Sequence, residues 1–251
     1  MNALLSAWSW VAIGLVGIVG FFVQLLLFMV TFPFDRRRAI VGRSFRLNGV
    51  VSSWLNPFWN FRVEGPLPSP LPRRTVLVCN HESTADPFLI SRLPWEMKWL
   101  SKSVLFFVPF IGWSMWLAGD VPVRRSRRES GREAIARCAL WLKKGMPVMI
   151  FPEGTRARDD EMLPFKDGAF RLAIESHADV LPIAICGTRQ AVAKKAWRFG
   201  KSRARVTVGT SISTVGMTLD DLERLKAEAR AQIEVMRKRL AHSDDLQSAA
   251  A

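Results

Sequence analysis

Residues 75–87 read TVLVCNHESTADP, and this stretch decides the fold. Thr75 to Cys79 is a short apolar run with the length and β-branched content of a buried strand. Asn80 to Ala85 is polar and loop-like. Pro87 suits the first helical position, and Asp86 before it is a natural N-cap, so a helix is expected from Asp86 toward Arg92. A strand that runs through a loop into a helix opens an α/β unit, and open α/β sheets take their ligands at the carboxyl ends of the strands. His81 therefore stands at a functional end of the sheet. One oxygen of Asp86 can cap the helix while the other accepts the imidazole Nδ1–H, which leaves Nε2 free as a base. The alternative is a satisfied loop histidine beside an ordinary cap. H-E-x-x-H metalloprotease chemistry is excluded because Ala85 stands where its second histidine is required, and no G-x-S-x-G nucleophile elbow occurs.

The pattern continues outward. Lys98 to Leu100, Val121 to Val123, Pro147 to Phe151, Val180 to Cys186 (broken by Pro182) and Arg203 to Val208 read as strands. Ser126 to Lys144, Phe170 to Ser176 and Leu219 to Ala241 read as helices, the first closed by Gly145. Alternating elements of this kind predict an α/β domain, a mostly parallel sheet flanked by helices, over residues 65–242. Gly65 to Pro72 carries four prolines and reads as a stiff linker at its start, and Ser243 to Ala251 as a disordered tail.

A second constellation, Phe151-Pro152-Glu153-Gly154-Thr155-Arg156, also follows a buried strand. Gly154 permits a sharp turn. Backbone N–H groups, the Thr155 hydroxyl and the Arg156 fork together suit a phosphate. The plainer alternative is a turn held by a Glu153–Arg156 surface pair.

The chain has 251 residues, with 36 Lys and Arg against 22 Asp and Glu, a net charge of +14. Hydrophobic residues make up 49%, too many for a disordered basic protein. Three separated cysteines provide neither a disulfide scaffold nor a C-x-x-C metal or redox pair. Residues 1–34 contain no charged side chain, and Asp35 is followed by Arg36, Arg37 and Arg38. Thirty apolar helical residues reach about 45 Å, more than a bilayer core of about 30 Å, so residues 1–34 are expected to form a transmembrane helix. A cleaved signal peptide would need a basic start and a shorter run. The arginine cluster puts the following domain on the cytoplasmic side, of a bacterial-type inner membrane. Gly14, Gly17 and Gly20 read as ordinary membrane-helix glycines. Residues 39–61, rich in aromatics, read as a second helix ended or kinked by Pro57, within an interfacial segment 35–64. The positive charge then belongs beside a membrane and is drawn to anionic lipid. Nucleic acid is not expected as a partner, because no recognition motif is present.

Taken together, N-H-x-x-x-x-D-P and F-P-E-G-T-R make the chain resemble the 1-acylglycerol-3-phosphate acyltransferases, the lysophospholipid acyltransferases of phospholipid synthesis. The resemblance covers about Thr75 to Gly187. Lys102, Pro109, Gly112, Gly119, Val123 and Arg125 match the family's intermediate block, Phe165 to Phe170 the stretch after F-P-E-G-T-R, and Leu181 to Ile183 the fourth block. Arg124 departs from the pattern, standing where many members have Asp or Asn, and leaves the headgroup contact open between Arg124 and Arg125.

The resemblance implies transfer of a fatty acyl group from a thioester, acyl-CoA or acyl carrier protein, to the sn-2 hydroxyl of lysophosphatidic acid, with no cofactor or metal. His81 would take the hydroxyl proton and Asp86 would orient it. Lys102, Arg125, Glu153, Gly154, Thr155 and Arg156 would bind the acceptor, with Arg156 on its phosphate and Glu153 orienting Arg156 or the glycerol hydroxyl. Val104 to Leu117 would line an acyl tunnel, dip into a leaflet, or simply fill core. Arg127, Arg128, Lys194, Lys195, Arg198, Lys201, Arg203 and Arg205 read as a solvated basic face. Three other functions are weighed against this one: the same chemistry on another lysophospholipid or an amino-acid lipid, an acyl carrier built on Cys79, and a non-enzymatic basic membrane adaptor.

Overall fold

In the strand Thr75–Cys79, Val76 and Val78 face one side of the sheet and Leu77 and Cys79 the other, and all four are fully buried. A strand buried on both faces is the centre of an α/β sandwich. The computed structural model describes residues 2–249 apart from Leu71, Arg125, Ser126, Arg158 and 193–195, with side chains described up to His242. The elements are α1 (Asn2–Thr31), α2 (Ala39–Leu55), β1 (Trp59–Glu64), β2 (Thr75–Cys79), α3 (Asp86–Ile90), β3 (Lys98–Lys102), α4 (Ile111–Ala118), β4 (Val121–Val123), α5 (Arg128–Lys143), β5 (Val148–Ile150), α6 (Gly168–Glu175), β6 (Asp179–Cys186), β7 (Ser202–Val208) and α7 (Leu222–Ala249).

The seven strands lie in the order β1-β7-β6-β2-β5-β3-β4. Every pairing is parallel except β6 with β7. Helices α5, α6 and α7 cover one face, and α3 and the aromatic residues around Trp95 and Trp99 cover the other. The mostly parallel sheet flanked by helices is the expected architecture. Pro182 does not break β6: its carbonyl accepts from Gly209 N–H, so its missing donor faces a position beyond the last pairing with β7, at Ile183.

Two expectations need correction at the front of the chain. The second helix ends at Leu55, where Asn56 turns extended ahead of Pro57. Trp59 to Arg62 then alternates buried and exposed, the period of a strand, and β1 pairs in parallel with β7. The α/β domain therefore begins at Trp59 rather than 65, and the proline-rich stretch joins β1 to β2 inside it.

Helix α1 is long and apolar enough to cross a membrane. Its large apolar side chains, Leu4, Trp8, Leu15, Val19, Phe22 and Leu26 among them, point outward, while Ser6, Ser9, Ala12, Gly20 and Gln24 form the buried stripe. Both halves rest on the rest of the protein. Ser6 Oγ accepts from Phe199 N–H and Trp10 Nε1 donates to Trp197 O, while Gln24 Nε2 donates to Val41 O and Ser114 O. Gly20 is more than an ordinary helix glycine: a Cβ there would meet the Asn48 side chain of α2, which packs into the space the glycine leaves. At the other end of the chain, α7 continues to Ala249, past the expected start of a tail at 243.

Candidate active site

The loops after β2, β5 and β6 meet at the carboxyl end of the sheet, beside its central strand. The Asn80 side chain pairs with both backbone groups of Ile185, at 3.0 and 2.9 Å, and ties the first loop to β6. Asp86 is fully buried. It is the first residue of α3 and does not cap it, since Ala85 holds that position. Its carboxylate folds back instead over its own loop. Oδ2 accepts from Glu82 N–H at 2.8 Å, from Ser83 N–H at 3.0 Å and lies 2.7 Å from His81 Nδ1; Oδ1 accepts from Thr188 Oγ1 at 2.5 Å. An acceptor this saturated fixes a proton on His81 Nδ1 and leaves Nε2, which has no hydrogen bond among the described residues, able to accept one.

The second loop holds His81 from both sides. Glu153 Oε1 accepts from His81 N–H at 2.8 Å, and Ala157 N–H donates to His81 O at 3.0 Å. Glu153 Oε2 accepts from Leu163 N–H, and burial pushes its carboxyl above the usual range. The imidazole stacks on Phe151, with ring centres 4.2 Å apart. Gly154 has φ +70°, the left-handed conformation that favours glycine, while a Cβ there would meet only the flexible end of the Lys166 side chain. His81 opens on a mainly apolar cavity of about 310 Å³, bounded by Ile13 and Gly17 of α1, Ser52 of α2, Trp99 and Lys102 of β3, Met115 of α4 and Phe151.

The Acyltransferase family model matches residues 60–186, about half of the chain. The chain belongs to the acyltransferase family. It is 34% identical to a 1-acyl-sn-glycerol-3-phosphate acyltransferase of Chlamydomonas reinhardtii over 72% of this chain and 54% of that protein. A protein of the same name from Haemophilus influenzae is 28% identical over 78% of this chain and 83% of its own length. The crystal structure of the 1-acyl-sn-glycerophosphate (LPA) acyltransferase from Thermotoga maritima superposes with a TM-score of 0.72 at 24% identity, covering 94% of this chain and 95% of that one. The chain spans about half the length, or less, of the first plant-type relatives it matches.

Within this acyltransferase-family chain, the structure brings some of the expected site residues together and separates others. His81 and Lys102 line the cavity, Lys102 exposed at the end of β3, while Asp86 is buried behind His81. Arg156 is half-buried beside the second loop, outside the lining of that cavity, and makes no hydrogen bond or ion pair among the described residues. Thr155 is exposed. Glu153 does not orient Arg156: it is spent on the His81 and Leu163 amides. Arg125, Lys194 and Lys195 lie outside the described residues. Arg205 belongs to no basic face, being buried against Glu64. Val104 to Leu117 divides into a 3-10 turn and α4, with Leu105, Ile111 and Met115 on the cavity and Phe107 and Trp113 exposed. Cys79 is buried, and burial with the nearby carboxylates of Asp86 and Glu82 pushes its thiol well up, which removes it as an acyl carrier. Sequence reading missed Asn80 as an anchor and Thr188 as a partner of Asp86. The available signal was Gly187-Thr188 at the end of a third strand, the same place from which the first two loops depart.

Proposed function

We propose that the chain transfers a fatty acyl group from a thioester, acyl-CoA or acyl carrier protein, to the sn-2 hydroxyl of 1-acylglycerol-3-phosphate, forming phosphatidic acid. The observation that carries this is the 2.7 Å contact of His81 Nδ1 with Asp86, with Nε2 free on an apolar cavity. Nε2 takes the hydroxyl proton as the oxygen attacks the thioester carbonyl. The tetrahedral intermediate expels the thiolate, and the imidazolium returns its proton to the sulfur. Asp86 stabilises the imidazolium between these steps. Thiolate leaves readily, so no enzyme nucleophile is needed. Lys102 and Arg156, which has no partner among the described residues, are the cations for the acceptor's phosphate.

The same reading covers the membrane. Helix α1 turns its large apolar side chains outward yet touches the α/β domain near both ends. It therefore beds in one leaflet alongside the domain rather than crossing as an isolated span, with the domain on the cytoplasmic side and its basic residues toward anionic lipid. The test is acyl transfer by the purified full chain, supplied with acyl-CoA or acyl carrier protein and a panel of lysolipid acceptors. The phosphate-bearing 1-acyl acceptor should be preferred, and no transfer to it overturns the reading.

A further inference from the structure

A third loop reaches the dyad from behind. Thr188, just after β6, brings its hydroxyl within 2.5 Å of Asp86 Oδ1 and 3.3 Å of Glu82 Oε2. A threonine hydroxyl has one proton to give. Asp86 is the acceptor for His81 Nδ1 and two backbone amides, so it is the carboxylate and receives that proton. The second contact then joins two oxygens that are both acceptors unless Glu82 carries a proton of its own. Glu82 is nearly buried, and its Oε1 has Asn80 Nδ2 at 3.4 Å and Arg237 of α7 at 3.5 Å.

We propose that Glu82 is a positioning residue for the His81–Asp86 dyad: as a neutral carboxylic acid it donates to Thr188, which donates to Asp86, and its ionisation weakens the dyad. This rests on His81 acting as the base.

The charged surroundings agree. Burial and the Asp86 charge push the Glu82 carboxyl up to about 7, against the pull of Arg237, Arg189 and the Thr188 hydroxyl. Glu82 faces away from the acyl cavity into a separate cleft of about 820 Å³, so it exchanges protons with solvent without passing the substrate. That cleft also carries Arg230, Glu234 and Lys238 of α7, and Asp160 and Glu161 of the loop after β5. Their charges nearly cancel, which leaves Asp86 as the decisive neighbour. When Glu82 ionises, two carboxylates compete for one hydroxyl proton. The Asp86 carboxylate then loses part of the contact that holds it behind His81, and turnover slows.

The test is kcat at saturating substrates from about pH 5.5 to about pH 9, for wild type, E82Q, Thr188→Val and Thr188→Ser of the full chain, with thermal unfolding of each. Gln is a permanent stand-in for the neutral acid. The ratio of E82Q to wild-type kcat should climb as pH rises through about 7, and taking the ratio cancels any ionisation of the acceptor's own phosphate. Thr188→Val should lower kcat about tenfold with both KM values nearly unchanged, and Thr188→Ser should restore it. A flat ratio, or a Thr188→Val enzyme with wild-type kcat, overturns the proposal. If E82Q fails to fold, the two Thr188 variants decide. His81→Ala separates the readings: activity retained there removes the base itself, whereas an inactive His81→Ala with a flat E82Q ratio removes only the relay.

Discussion

Glu153 Oε1 accepts the backbone N–H of His81 at 2.8 Å, across 72 residues of sequence. The F-P-E-G-T-R turn is thus a clamp on the His81 loop, and its acid serves the main chain at His81 and Leu163. Both Glu153 oxygens are used, the second by Leu163 N–H. Glu153→Gln can satisfy only one of these amides, because its NH2 group meets the other donor to donor. A buried unsatisfied donor costs about 1–3 kcal/mol. Denaturant unfolding should record that loss. A drop in kcat should accompany it, with both KM values little changed, because the displaced group is the His81 backbone. An Arg156-orienting role would instead raise the acceptor KM.

His81→Ala should lower kcat by about 10²–10⁴ with little loss of stability, since the imidazole is a loop side chain. Asp86 is different, because its carboxylate organises the loop. Asp86→Ala leaves the amides of Glu82 and Ser83 and the Thr188 hydroxyl without their acceptor, so it should cost well above the ~1 kcal/mol of a lost helix cap. Asp86→Asn should keep more of the fold and still lose activity through the wrong imidazole tautomer. Unfolding midpoints and kcat measured together separate the two substitutions.

The raised carboxyl of Glu82 predicts a pH signature in stability. Its folded value is about 7 against an ordinary 4.5. A raised folded value favours the fold below the ordinary value, and that advantage is lost as pH climbs through about 7. The difference corresponds to roughly 3 kcal/mol. Glu96 and Glu153 are shifted the same way by burial and act in wild type and variant alike. E82Q should therefore gain about 3 kcal/mol relative to wild type between about pH 4.5 and about pH 8, read by denaturant unfolding. A difference that does not vary with pH would mean that Glu82 is ionised throughout.

The local chemistry was legible in sequence because it sits within single loops. His81 and Asp86 are five residues apart, and a strand before and a helix after set their geometry. The long-range partners were not. Lys98 opens an expected strand, yet it is fully buried, with Nζ donating to Arg38 O and Ala118 O and paired with Glu96. Arg46 of α2 likewise pairs with Asp120 under the cavity floor. These charges pin the front helices to the sheet, and no periodicity in either segment announces a partner 60 or more residues away. Aromatic content misled at Trp59 to Phe61: tryptophan suits a bilayer interface, but the alternation of W-N-F-R specifies a strand.

Arg156 has no protein partner among the described residues. A guanidinium without a partner among the described residues, close to the His81 loop, is available to an anion. If it grips the acceptor's phosphate through its planar fork, Arg156→Lys keeps the charge but loses the bidentate geometry. The phosphate is remote from the reacting hydroxyl, yet its grip positions that hydroxyl against His81 Nε2. The loss should therefore fall on both the acceptor KM and kcat, since binding energy also supplies orientation. A charge-assisted contact of about 1.5–3 kcal/mol corresponds to roughly ten- to two-hundred-fold in kcat/KM. Arg156→Ala should be at least as severe, and KM for the acyl donor should hardly move in either variant. Kinetics with both substrates decide the matter: a defect confined to the acyl donor would assign this turn to the thioester and leave Lys102 as the cation for the phosphate.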